Sequence, residues 1–346
     1  FQADYMASRL LENPAMNPAN ASVALLLPLV ACVHHTTEDV PHTVAAVGDH
    51  VVVAASADTT TTGGFGCGGG LAPTGTSVLF VSDDGGTKFE RIEPDEDRAI
   101  AKIVAFGGRF YGLASDYYGT AILASSDGRT WTEVASAETT HYDAHDLIVA
   151  SDNLYAPSSA GYLASRDGVT WADHAVTGGW YNPVMAGTGD ALVVGTANGT
   201  LAVSRGGGEF AQLDMPGMSW ISQVVPLGKD VLVTAQASTN VIARIDLITR
   251  KIVQTVTDAG PVLVTPAGIL DHDTGKLAPV TASGIGTFTD HGPAFSEGAV
   301  DGNRVVLLAT DGAVGTTSGA WSVIVSNDGG ASFEHAVELP TVTTKD

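Results

Sequence analysis

Beyond about residue 40, apolar positions recur at every second residue in short runs. In one stretch the runs are "AIAKIVAF" from Ala99, "RFYGLAS" from Arg109, "TAILAS" from Thr120 and "WTEVA" from Trp131. A period of two places one set of side chains on one face of a strand. Turn residues bound each run, as expected for antiparallel strands joined by hairpins. No 3.6-residue period persists, so helical arrays are excluded.

The turns themselves repeat. "SDDGGTKF" from Ser82, "SSDGRTW" from Ser125, "SRDGVTW" from Ser165, "SRGGGEF" from Ser204 and "SNDGGASF" from Ser326 align with one another. The first four serines are 43, 40 and 39 residues apart, and the last gap of 122 is three such steps. Two degenerate copies are therefore expected between them: "TDHGPAF" from Thr289, and "DLITRKI" from Asp246 by position alone. A fixed period of this size marks a repeat architecture in which each unit is one supersecondary element. Seven units of four strands predict an all-β, seven-bladed β-propeller of antiparallel blades.

These hairpins resemble the Asp-box, or BNR repeat, of sialidase-type β-propellers. The motif residues are Ser82, Asp84, Gly86 and Phe89; Ser125, Asp127, Gly128 and Trp131; Ser165, Asp167, Gly168 and Trp171; Ser204, Gly207 and Phe210; and Ser326, Asp328, Gly330 and Phe333. The fourth copy has Gly206 where the aspartate belongs, so its turn is expected to be held less tightly. The resemblance implies a structural role for the boxes. It does not imply an activity, because one scaffold hosts many.

Composition agrees with a packed β domain: 44% hydrophobic, 16% charged and 41 glycines in 346 residues. The formal net charge of −22 disfavours nucleic acid and anionic lipid as partners. Residues 1–39 read as a signal-like hydrophobic segment and polar tether, and residues 40–346 as the propeller. The run "VALLLPLVACV" from Val23 is too short to span a bilayer but has the length of a signal-peptide core. Within it, Leu29–Cys32 resembles the bacterial lipoprotein cleavage box, which implies lipidation of Cys32. An exported protein is expected, periplasmic, outer-membrane-anchored or extracellular. A disulfide from Cys32 to Cys67 is the alternative fate of the two cysteines, and a monomer is expected.

With strands labelled A to D from the channel outward, C–D and A–B turns share one face, and D–A and B–C connections share the other. The boxes lie on the first. The second carries the aromatic and acidic residues: Asp116, Tyr117, Tyr118, His141, Tyr142, Asp143, His145, Asp146, Trp180, Tyr181 and Trp220. Function usually resides in such loops on a rigid scaffold, and aromatic platforms with carboxylates suit sugars. Two roles stay open for Trp180 and Trp220: binding anchors, or plugs at the start of an A strand. His141, Asp143 and His145 alternate as metal ligands on a strand would, but a polar cluster is the simpler reading. No metal or cofactor is expected.

Sialidase chemistry requires clustered arginines. The chain has ten, and Arg98 alone is clearly placed among the second set of loops, so no bidentate carboxylate clamp is expected. The leading expectation is a non-catalytic propeller binding a glycan or protein partner through the D–A/B–C face. The alternative is a carbohydrate-active hydrolase or lyase using loop carboxylates.

Overall fold

The computed structural model describes residues 34–62, 71–94, 99–116, 119–137, 146–150, 152–158, 161–176, 180, 183–189, 191–213, 215–281, 283–310, 320–333 and 335–345. Alternating runs give strands throughout. Blade 1 consists of His34–Val47, His50–Thr62, Leu71–Ser82 and Glu90–Ile92. Blade 2 is Ala99–Phe106, Arg109–Asp116, Gly119–Ser125 and Thr132–Ala137, the four runs read from the sequence. Blade 3 is Ile148–Ala150, Asn153–Ser158, Gly161–Ser165 and Ala172–Ala175, and blade 4 is Val184–Thr188, Ala191–Gly195, Leu201–Arg205 and Ala211–Leu213. Blade 5 is Trp220–Leu227, Asp230–Gln236, Asn240–Asp246 and Lys251–Thr257. Blade 6 is Val262–Thr265, Gly268–Asp271 and Leu277–Ala278, and blade 7 is Glu297–Asp301, Arg304–Thr310, Trp321–Ser326 and His335–Glu338. Each blade is an antiparallel meander, with strand A at one edge in blades 2 to 7.

The blades pack face to face. Among the described residues, seven clusters of buried side chains separate successive blades, one per seam. Val52, Leu79, Phe110 and Leu123 fill the seam of blades 1 and 2, and Tyr111, Ile122 and Leu154 that of 2 and 3. Val193, Val203, Ile221 and Val233 lie between 4 and 5, Leu232, Ile242 and Ile269 between 5 and 6, and Leu270, Phe295 and Leu307 between 6 and 7. The ring closes through Val306 and Val323 against Val53 and Phe80. Each such side chain contributes about 1.5–3 kcal/mol relative to exposure. The seventh seam, between blades 3 and 4, has only Tyr162, Met185, Leu192 and Val194 fully inside.

The chain ends reinforce closure. Thr343–Lys345 pairs antiparallel with Thr36–Glu38, adding a fifth strand to blade 1. The buried Asp39 carboxylate accepts the Val342 N–H at 2.9 Å and a two-pronged contact from Arg91, at 2.7 Å from Nε and 3.0 Å from Nη2. The stretch expected to be a tether up to residue 39 is thus strand from His34 onward, and the blade begins before the boundary drawn at 40. Its polar residues carry no apolar alternation; backbone pairing on both sides defines it.

The Ser-Asp-Gly hairpins share one construction. In the turn at Ser125, the serine hydroxyl donates to Asp127 Oδ1 at 3.0 Å and accepts the Gly128 N–H at 2.8 Å. Asp127 Oδ1 also accepts the N–H groups of Arg129 and Thr130, both at 2.9 Å. Asp84, Asp167 and Asp328 do likewise. Each hairpin then seats a glycine on the preceding blade: a Cβ on Gly128 would lie 2.3 Å from Val52, and one on Gly168 2.0 Å from the Tyr111 hydroxyl. Both glycines have positive φ, so a side chain is doubly excluded. These turns meet the A–B turns, as when the Gly85 N–H donates to Asp49 O at 2.8 Å, so the two sets share one face as expected.

Two turns depart from the pattern. Asp246 holds the C–D turn of blade 5 by accepting the N–H groups of Ile248 and Thr249. The segment from Thr289 is not a C–D turn. After strand C, blade 6 inserts a small hairpin, Val280–Thr281 with Gly284–Ile285, held by the Gln254 amide at 2.8 and 2.9 Å. Thr289 then takes the edge position by a single bridge to Leu277, and blade 6 has no longer fourth strand among the described residues. Residues 271–284 therefore contain strand C and most of that hairpin.

Candidate functional site

A concavity opens at the seam between blades 3 and 4, and its cause lies in one hairpin. At the fourth turn Gly206 leaves no carboxylate to collect N–H groups. Ser204 donates instead to Gly208 O at 2.5 Å, and the Gly208 N–H bonds Arg205 O at 3.0 Å. Gly206 and Gly207 touch no neighbouring blade within 4 Å of a built Cβ. At the preceding seam, Tyr111 on strand B of blade 2 is covered by the third hairpin: its hydroxyl donates to Asp167 O at 3.5 Å. Tyr155 holds the corresponding place on strand B of blade 3, and no hairpin covers it.

A cavity of about 600 Å³ results on the box side of the seam, bounded by Tyr155, Arg166, Asp167 and His174 on blade 3 and by Ser204 and Gly207 on blade 4. A second, of about 870 Å³, continues along the rim between strand D of blade 3 and strands C and D of blade 4. Tyr162, His174 and Gly207 line both, so the two form one groove.

Aromatic rings form its floor. Tyr162 stacks on His174 at 4.7 Å and 10°, and on Trp180 at 6.2 Å and 12°. Phe210 stands edge-on to Trp180 at 5.2 Å and 81°. Burial raises the phenol pKa of Tyr155 and Tyr162, which keeps both protonated and available as donors. Asp173, Asn198, Glu209 and Gln212 supply polar edges. Pockets of this size hold small ligands with a few convergent polar groups.

Trp180, in the D–A connection between blades 3 and 4, therefore does not plug the channel but lies at the loop-face end of this seam, in one cavity with Asn198 and Thr200 of the B–C connection of blade 4. It packs in the seam, in contact with Tyr162 and Phe210. Phe210, expected to serve its hairpin alone, lines the same groove. Trp220 opens strand A of blade 5 and is 44% exposed. Asp116 ends strand B of blade 2. Tyr117, Tyr118, His141, Tyr142, Asp143, His145 and Tyr181, together with Cys32, Cys67 and Arg98, lie outside the described residues. Tyr155, Tyr162 and His174 were not anticipated as site residues; the signal for them was the missing aspartate at Gly206, read against the intact copies.

Asp146 belongs to a second constellation, at the channel. Lys102 on strand A of blade 2 pairs with Glu297 on strand A of blade 7 at 2.9 Å, both side chains about a quarter exposed (26%). Burial works against the Lys102 charge, but Glu297 and Asp146 outweigh it and hold its pKa above the usual lysine value. Burial pushes Asp146 up against the pull of Lys102. Burial also lowers His272 to about 4, so its imidazole is neutral at pH 7. Four blades thus send charge or potential charge into one wall. The arrangement is a staple, since its cation is already paired. Asp271, at the end of strand B of blade 6, is buried and accepts the Gly260 N–H and both the N–H and hydroxyl of Thr274, which leaves it a turn-holding role.

Residues 93–240 match a family model described as the DUF6242 beta propeller domain. The match includes blades 2 to 4, and so the open seam. Among solved structures, the chain is similar to one titled "Crystal Structure of Mitotic Checkpoint Complex" (13% identity, 78% of this chain and 83% of that one, TM-score 0.56). It is also similar to the computationally designed Ika8 protein (13% identity, 78% and 93%, TM-score 0.51). Both likenesses concern the propeller fold. A comparison with curated proteins found no match.

Proposed function

We propose that this propeller is a non-catalytic binding module whose ligand, a glycan or a protein partner, occupies the groove between blades 3 and 4. The observation that carries this is the uncovered seam: where an intact hairpin seats its glycine on the preceding blade, Gly206 and Gly207 leave Tyr155 facing a cavity. The hairpins are Asp-box repeats in this reading, and the fourth has exchanged its structural aspartate for an opening. Export, with Cys32 as a lipid anchor, accompanies the proposal on the strength of Val23–Val33 and Leu29–Cys32.

A second reading places the ligand elsewhere on the loop face, favoured by the exposed Trp220. Screening the full chain against glycan and protein arrays, with each hit re-measured on two variants, decides between them. Thr200→Trp places a bulky ring in the groove and should abolish binding; Trp220→Ala should leave it unchanged. The reverse pattern would transfer the site to the surface around Trp220, and turnover of a bound glycan would end the non-catalytic reading.

A further inference from the structure

The rim side of the groove has a chemistry that selects among ligands. We propose that it binds a neutral oligosaccharide chain, with one pyranose ring packed on the indole of Trp180. The proposal rests on the groove being the binding site and narrows what enters it.

The rings set the geometry. Trp180 stacks within 12° of parallel on the buried Tyr162, itself stacked on His174, so the indole plane is held in place, and Phe210 stands as a wall at 81° to it. A flat floor with a perpendicular wall matches the C–H face and edge of a pyranose, since apolar C–H groups pack on an aromatic face while polar groups point outward. At the edges stand Asp173, Asn198 and Gln212. Sugar hydroxyls both donate and accept; carboxylates accept, and amides do both. Hydroxyls meeting these groups leave no buried polar atom unpaired.

Charge narrows the class. No lysine or arginine lines the rim cavity among the described residues, while Asp173 and Glu209 do, so a uronate or sulfated ring seated there would meet like charge; Arg166 borders only the box-side cavity. A quaternary ammonium group would be attracted to the rings and acids. However, the cavity of about 870 Å³ is far larger than one such head group and continues into a second of about 600 Å³. A groove that runs along a seam suits a chain.

Calorimetric titration of the full-length protein with cellohexaose, maltohexaose, xylohexaose, mannohexaose and N-acetylchitohexaose tests this. Hexagalacturonate, tetramethylammonium and a lysine-rich peptide serve as counter-probes. At least one neutral hexasaccharide should bind, quench tryptophan fluorescence and slow amide exchange in residues 161–174 and 200–212. Trp180→Ala should weaken it roughly 30-fold, as for an aromatic hot spot, and Trp180→Phe should restore part of that. Should the alanine variant fail to fold, Asn198→Ala, at the polar edge, should still weaken binding several-fold. If none of the neutral sugars binds, the proposal fails. A peptide or tetramethylammonium protecting the same amides would overturn the sugar but keep the groove. A sugar whose protection maps to Trp220 instead would overturn both.

Discussion

Asp127 shows how much one carboxylate does in a hairpin. It accepts two backbone N–H groups and the Ser125 hydroxyl, which hydrogen bonding to water would otherwise have to replace. Asp127→Ala should cost about 1–2 kcal/mol, read as a lower melting temperature, because turn donors then lose their acceptor. The same bonds have a pH signature. The Thr87 and Ser82 contacts hold Asp84 at about 2, and the Thr170 and Val169 N–H groups hold Asp167 at about 2. Both lie below the usual aspartate value near 3.9. In acid the unfolded chain binds protons that the folded hairpins refuse, so the stabilisation is complete above about pH 4 and is lost as pH falls towards 2. Melting temperature followed from pH 5 to pH 2 should fall less steeply in the double variant Asp84→Asn with Asp167→Asn than in the parent. An identical slope in both proteins would show that these carboxylates do not couple to folding. The glycines give a sharper contrast. Gly168→Ala drives a methyl into the Tyr111 hydroxyl, whereas Gly207→Ala meets open space, with similar positive φ at both sites. Equal losses of stability would mean that backbone strain alone, and not seam contact, sets the cost.

At the scale of strands and turns, the sequence was most informative where one face is buried. The runs of blade 2 became four strands because Ile100, Phe110, Leu113 and Leu123 alternate into seams, and burial fixes register when the side-chain period is two. It was silent where pairing alone defines a strand. His34–Asp39 is polar throughout, yet it gains partners on both sides from strand B and the C-terminal Thr343–Lys345. The segment from Thr289 misled for a related reason: it keeps turn residues, but its His291 ring bonds Gly330 O at 2.7 Å and packs on Phe333, serving the next hairpin and not its own. The closure at the chain ends makes a definite prediction. Arg91→Ala leaves the buried Asp39 charge without its guanidinium, and breaking such a pair costs about 3–5 kcal/mol. Its urea midpoint should drop sharply, and exchange of the Val342 amide should rise first. Restoring only the packing with Arg91→Met should not rescue it; if it did, the pair would matter for its stem and not its charge.

For the whole molecule, a ring of seven seams is only as tight as its loosest one, and the composition of the seams says which that is. Six are filled by interdigitated aliphatic and aromatic side chains, while the seam of blades 3 and 4 keeps four residues fully inside and a groove beside them. The candidate site was legible only as a defect. A repeat reader sees Gly206 as a degenerate copy, and the rings that the defect uncovers, Tyr155 and Tyr162, look like ordinary strand residues until the blades are assembled. Trp180 was singled out, but the D–A connection alone could not show that it folds back beside Tyr162 and away from the channel. If the opening is what the fourth hairpin is for, repairing it should trade binding for stability. Gly206→Asp tests this directly. Aspartate tolerates the positive φ of that position better than most residues. Its carboxylate would be placed to accept the N–H groups of Gly208 and Glu209, as Asp167 does for Val169 and Thr170. A hairpin so tightened would settle on Tyr155 as the third settles on Tyr111. The variant should melt a few degrees higher, protect the amides of Leu201–Arg205 more strongly against exchange, and bind any groove ligand more weakly than the parent. Higher stability with undiminished affinity would show that the hairpin can close without closing the groove, and would sever the link between the lost aspartate and the site.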